Sequence, residues 1–157
     1  MFPALRPILN KGGAGRYISR EESVERLLPM AEHHLDLCAT YDAALGALPD
    51  GPARTRLSAL APYVRIETAK IFETILSLGG TAPTGTDREP AAPATGSVAD
   101  VIKGLRDAEG TFSRALLDEV DVVHHQERTR AILEHNARAS ESRLGVLRDI
   151  VAELSRG

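Results

Sequence analysis

Tryptophan is absent from the 157-residue chain, and phenylalanine and tyrosine contribute only three residues each. A core must therefore be built from Leu, Ile, Val and Ala rather than from stacked rings. The single cysteine, Cys38, excludes an internal disulfide and a cysteine-built zinc site. No stretch approaches the ~20 apolar residues of a membrane span. The opening MFPALRPILNKGGAGRY interrupts its apolar residues with Pro3, Pro7 and a glycine cluster, where a secretory signal would keep a continuous run. Charge of one sign is also lacking. With 19 basic and 22 acidic residues the net charge is −3, too weak a field to gather nucleic acid or an anionic membrane. Neither partner is expected, a cytoplasmic location is, and the length suits one domain with one core.

What is present is helical periodicity. Residues 1–18 read as an arm: two prolines break any helix, GGAG is a hinge, and Phe2, Leu5, Ile8 and Leu9 are too apolar to be left idle. Either the arm packs on its own domain or it reaches a protein partner, such as a neighbouring subunit in a homo-oligomer. Residues 19–157 then form the domain. Ser19-Arg20-Glu21-Glu22 has the form of a capping box and opens a helix over about 20–48, with Leu27, Ala31, His34, Leu35, Cys38, Tyr41 and Leu45 on one face. Pro49-Asp50-Gly51-Pro52 makes a corner, with Pro52 suited to the first turn of the next helix. That helix, about 52–78, carries Leu57, Leu60, Val64, Glu67, Ile71, Ile75 and Leu78, and Gly79-Gly80 ends it.

Residues 79–96 contain TAPTGTDREPAAPATG and show no periodicity, so they form a loop long enough to run the length of a helix. Ser97 to Asp100 resembles a second cap, and Val101, Leu105, Glu109, Phe112 and Leu116 make the stripe of a helix over about 97–120. The last helix, about 123–155, carries Leu133, Asn136, Ser140, Leu144, Leu147, Val151 and Leu154 after a corner placed near residues 121–123. No strand pattern competes. The fold expected is all-α: a four-helix bundle of two helical hairpins joined by a long crossover loop.

Three of the four apolar stripes are interrupted by an ionisable residue. If the first hairpin turns between residues 50 and 51, antiparallel neighbours have numbers summing to about 101, which sets His34 against Glu67. A second corner near 122 sets Glu109 against His135, although His135 lies at the edge of its stripe, beside Asn136. His33, about 100° round the helix from His34, faces solvent.

The layout resembles the ferritin-like superfamily, in particular small bacterial rubrerythrin-like domains, over about Arg20 to Leu154. The likeness rests on Ala39-Thr40-Tyr41-Asp42-Ala43-Ala44-Leu45, the Leu48-Pro49-Asp50-Gly51 corner and the Leu78-Gly79-Gly80-Thr81-Ala82-Pro83 ending. It implies a function in metal handling or stress response and a di-iron site made of one Glu from each of two helices and an E-x-x-H pair from each of the others. Carried over, most of that site is missing. His34 stands where the first helix would supply Glu; Val64-Arg65-Ile66-Glu67 offers one carboxylate without its His; Glu109 matches the third helix; and Glu134-His135-Asn136-Ala137 is no E-x-x-H. The residues left, His34, Glu67, Glu109 and His135, suit at most one iron, manganese or zinc ion. Two other readings compete. His34 and Glu67 form a satisfied polar pair that fixes helix register in a non-enzymatic interaction or scaffold protein, or they act as a catalytic acid and base.

The remaining candidates have plainer explanations. His124 and His125 match no ligand spacing and read as surface histidines at a corner. Cys38 reads as a small core residue, its thiol pKa raised by burial. Tyr41 reads as core with its hydroxyl bonded, and Arg143 lies close enough to the seam to counter Glu109. Lys11-Gly12-Gly13-Ala14-Gly15 lacks the lysine that follows the glycines at the helix start of a phosphate loop and reads as a flexible hinge.

Overall fold

A computed structural model describes residues 18–86, 88–122 and 127–157. Residues 1–17 of the expected arm, and His124 and His125, lie outside them. Four helices account for most of the described chain: α1 Arg20–Ala47, α2 Pro52–Ser77, α3 Val98–Val122 and α4 Glu127–Arg156, with no strand among the described residues.

Local chemistry sets the helix ends. Ser19 Oγ accepts from the Glu22 N–H at 3.1 Å. Ser97 and Asp100 cap α3 reciprocally: Asp100 N–H donates to Ser97 Oγ at 3.2 Å, and the Asp100 carboxylate accepts from the Ser97 N–H at 3.0 Å. These bonds hold the Asp100 carboxyl below its ordinary range. Pro52 sits in the first turn of α2. Arg54 of α2 reaches back across the corner to the carbonyls of Leu45 and Leu48, at 2.6 and 2.8 Å, supplying the cation that the last turn of α1 lacks. At the far end of α2, Gly79 N–H donates to Leu76 O and Gly80 N–H to Ile75 O, a Schellman ending with Gly79 at φ +86°. A Cβ on Gly80 would lie 2.6 Å from Val24, so the chain passes α1 there too closely for any side chain.

The long loop then climbs the whole of α1. Gly80 lies against Val24, Arg88 pairs with Glu32 and Asp36, and Ala91 and Ala92 lie along Thr40 and Ala43. It thus delivers α3 to the end at which α2 began, and α3 runs antiparallel to α1: Arg26 meets Glu119 and Tyr41 meets Glu109. In the same way Arg56 meets Glu153 and Arg143 meets Glu67 between α2 and α4. The order is up, down, down, up, with α1 beside α2 and α3, and α4 beside α3 and α2. The expected all-α bundle of two hairpins joined by a crossover is therefore the observed one.

Leu27, Leu57, Val64, Ile71, Ile75, Ile102, Leu105, Leu116, Leu133 and Leu147 are buried to 1% exposure or less and form the apolar ends of the core. Leu37, which fell outside the α1 stripe read from the sequence, is buried, whereas Leu35 is only half-buried beneath the loop. Leu154 lies at the surface.

Candidate functional site

Between its apolar ends the bundle holds two polar layers. The first is built around Arg143 of α4. Its Nη1 donates to both oxygens of Glu67 at 2.8 and 2.7 Å, while Nη2 and Nε grip Glu109 side-on at 2.9 and 3.1 Å. Glu109 also accepts from Tyr41 Oη at 2.7 Å and Ser140 Oγ at 2.5 Å, four bonds in all. Each of these residues is 4% exposed or less. All four helices contribute, so the layer closes only when the helices are in one register.

Two carboxylates share one guanidinium, and the excess negative charge falls on the less supported acid. Burial pushes the Glu67 carboxyl above its ordinary range, against the pull of Arg143 and with help from Glu109. Burial also opposes the charge on Arg143, but its bonds to Glu109, then the charge of Glu67, outweigh it and hold the guanidinium firmly protonated. The two directions look opposed for one ion pair. Counting charge reconciles them, since one cation satisfies one carboxylate fully and the second only in part. Burial, then the neighbouring Glu109 charge, drives the Tyr41 hydroxyl far above its usual range, so it remains a donor.

The second layer is neutral. His34 Nδ1 donates to Met30 O at 2.7 Å, which fixes the tautomer and leaves Nε2 to accept from Asn136 Nδ2 at 3.2 Å across the α1/α4 diagonal. Phe112 meets the imidazole edge-on, with ring centroids 4.7 Å apart. Burial lowers the His34 pKa to about 4 despite the bond to Met30, and the Arg143 charge adds to that lowering. Asn136 Oδ1, fully buried, has no hydrogen-bond partner among the described residues.

The expected pairings are corrected by the register. Directly touching α1/α2 residues, Cys38 with Thr68 and Asp42 with Arg65, have numbers summing to 106 and 107, not 101. Helical side chains lean toward their own N-terminus by about one residue each, so contacts in an antiparallel pair fall at a higher sum than the backbone corner suggests, which accounts for part of the offset. His34 is thus carried past Glu67 and faces Asn136. In the second hairpin α3 runs on through Val122 and α4 begins at Glu127, so the midpoint of the pair lies beyond the expected 122. Glu109 consequently faces Ser140 and Arg143, and His135 is exposed.

A metal ion does not fit these residues as placed. The oxygens it would need on Glu67 and Glu109 hold Arg143, whose guanidinium does not deprotonate; both His34 nitrogens are bonded; and His135 faces solvent. Among the described residues, no three His, Cys, Asp or Glu side chains gather as ligands. Acid–base chemistry by His34 and Glu67 meets a different obstacle, since they are 0% and 4% exposed.

Arg143 countering Glu109, Tyr41 with a bonded hydroxyl, exposed His33 and a Cys38 thiol raised by burial all match the sequence reading. From the sequence, Ser140 and Asn136 stand out only as members of the last helix's stripe. The signal that could have marked them is a polar residue recurring at seam positions 136, 140 and 143 of one helix. No family model matches the chain, and neither does any curated protein.

Proposed function

We propose that this chain is a non-enzymatic scaffold or interaction protein of ferritin-like build, in which an arginine occupies the centre that relatives of that build give to metal. One observation carries this reading: Arg143 is bonded at once to Glu67 and Glu109. Those are the two carboxylates that the resemblance assigns to ligation. The single long crossover supports the ferritin-like likeness, being the connection that distinguishes such bundles from simple up-and-down ones.

In this reading the buried charges hold register. Sliding α2, α3 or α4 by one turn would leave a carboxylate or the guanidinium unpaired in the core, at a cost of several kcal/mol. Function then lies on the outer faces, in a cytoplasmic homo-oligomer or a complex with another protein. The competing reading keeps His34, Glu67, Glu109 and His135 as ligands of one iron, manganese or zinc ion. It requires Arg143 to release both carboxylates and His135 to turn inward.

Elemental analysis separates the two. Protein purified without a metal-affinity tag, from cultures supplemented with iron, manganese or zinc, is expected to carry no stoichiometric metal. One equivalent of metal that is lost in His34→Ala and in Glu67→Gln would sink the scaffold reading.

A further inference from the structure

Five large apolar side chains are exposed among the described residues, and three of them, Tyr63, Ile66 and Leu76, lie on α2 at 61%, 50% and 59% exposure. With exposed Ala59, Pro62 and Ala69, and with Lys70 and Glu73 between Ala69 and Leu76, they share one stripe along the side of α2 that faces away from α1 and α4. Scattered exposed apolar residues are ordinary, but a contiguous stripe marks an interaction surface. Its only charged members are Lys70 and Glu73. Neither side chain has an ion-pair partner among the described residues, whereas Arg26, Arg56, Arg65, Arg88 and Arg143 are all paired across elements.

We infer that this face of α2 is a two-fold interface that takes a second copy of the same chain, packed antiparallel. A two-fold pairing sets residue i against residue j and j against i, so one constant sum must satisfy every contact. Here it does. Lys70 against Glu73 of the second copy gives 143, and Ile66 against Leu76 gives 142. The charges neutralise one another twice over, the two large aliphatics meet twice, and Ala69 near the axis lets the backbones approach. The same register sets Tyr63 over Gly79, at the end of the partner helix, where an added Cβ would meet nothing within 4 Å and the ring has room. A parallel two-fold would instead set like numbers at one level, Lys70 beside Lys70 and Ile66 beside Ile66. The inference rests on the reading that the outer faces carry this protein's function and names the face and its partner.

Sedimentation equilibrium of the full chain tests it. The expected mass is twice 16.9 kDa, and Ile66→Glu is expected to give the monomer. Lys70→Glu and Glu73→Lys singly should each raise the dimer dissociation constant at least about tenfold by setting like charges together. The double swap in one chain should restore it, an outcome that only a reciprocal pairing produces. All three substituted positions are exposed, and circular dichroism checks that each of the four variants folds. A wild-type monomer at millimolar concentration overturns the inference, as does a dimer indifferent to these changes. So does a monomer that dimerises only after removal of residues 1–17, which would make the arm the occupant of the face. Metal content measured on the same samples keeps the two readings apart: a metal-free monomer sinks this interface alone, and a stoichiometric metal sinks the scaffold reading.

Discussion

The two polar layers at the centre of the bundle solve the same problem in opposite ways. In the Arg143 layer three charged groups are buried, and the Glu109 carboxylate alone takes four hydrogen bonds. In the His34 layer no group is charged at neutral pH, and a fully buried amide oxygen is left without a partner among the described residues. The difference follows from what each group costs out of water. A buried carboxylate without donors costs many kcal/mol, whereas an orphaned amide oxygen costs about 1–3 kcal/mol. Disturbing the charged layer should cost more than disturbing the neutral one. Register specificity should therefore reside in the first and pH sensitivity in the second.

Breaking the charged layer should give the largest effect. Arg143→Met leaves Glu67 and Glu109 facing each other in the core, and is expected to lose about 3–5 kcal/mol of unfolding free energy in urea titrations. Arg143→Lys keeps the charge but not the fork that reaches both acids, and should fall between that variant and wild type. A loss below about 1 kcal/mol in Arg143→Met would mean that the guanidinium does not hold the layer.

The neutral layer should break with acid. The His34 pKa falls from an unfolded 6.5 to about 4. Between those values the unfolded chain takes up a proton that the folded chain refuses, so stability declines as pH falls from 6.5 to 4 and levels below. The shift corresponds to about 3 kcal/mol. Glu67 acts with the opposite sign: its raised pKa lets the folded chain bind a proton first, which favours folding in acid. Comparing wild type with His34→Gln isolates the histidine, since only wild type should show the extra loss between pH 7 and 4. Parallel profiles would place the imidazole in contact with solvent.

How far the sequence reveals these layers depends on which property is asked of it. The corner at Pro49 to Pro52, both serine caps and the glycine ending of α2 are local chemistry, and each appears where its residues stand. Which residues enter the seam is also legible, because burial follows a period of 3.6 residues: His34, Glu67, Glu109, Asn136, Ser140 and Arg143 are all buried. Their partners are not legible. Pairing depends on the level at which helices meet, and an error of a few residues in that level moves His34 from Glu67 to Asn136. Arg88, in a loop read only as a connection, shows the same limit. Its contacts with Glu32 and Asp36 span more than fifty residues, and nothing local announces them.

Within the charged layer, single donors should matter less than the cation they assist. Tyr41→Phe removes one of the four bonds to Glu109 without opening a cavity, and is expected to cost about 2 kcal/mol, the value of a buried bond to a charged acceptor. The same variant tests whether the layer is one unit. Combined with Arg143→Met it should cost less than the two losses added, because a carboxylate that has lost its cation can take up a proton and needs fewer donors. Strict additivity would make the tyrosine bond independent of the ion pair.

The smallest effect should come from Asn136→Leu, and its smallness is what separates the two layers. The substitution removes the donor to His34 Nε2, a neutral bond worth about 1 kcal/mol, and leaves that nitrogen unpaired. It also removes the orphaned Oδ1 and returns apolar volume to a seam bounded by Leu133 and Ala137. The two terms oppose one another, so the net change should stay within about 1 kcal/mol, although the residue is as deeply buried as Glu109. Equal burial with unequal consequence would show that charge, not depth, sets the cost of disturbing this core. A loss above about 2 kcal/mol would instead mean that Oδ1 is satisfied, through an internal water, making the neutral layer as closed as the charged one beside it.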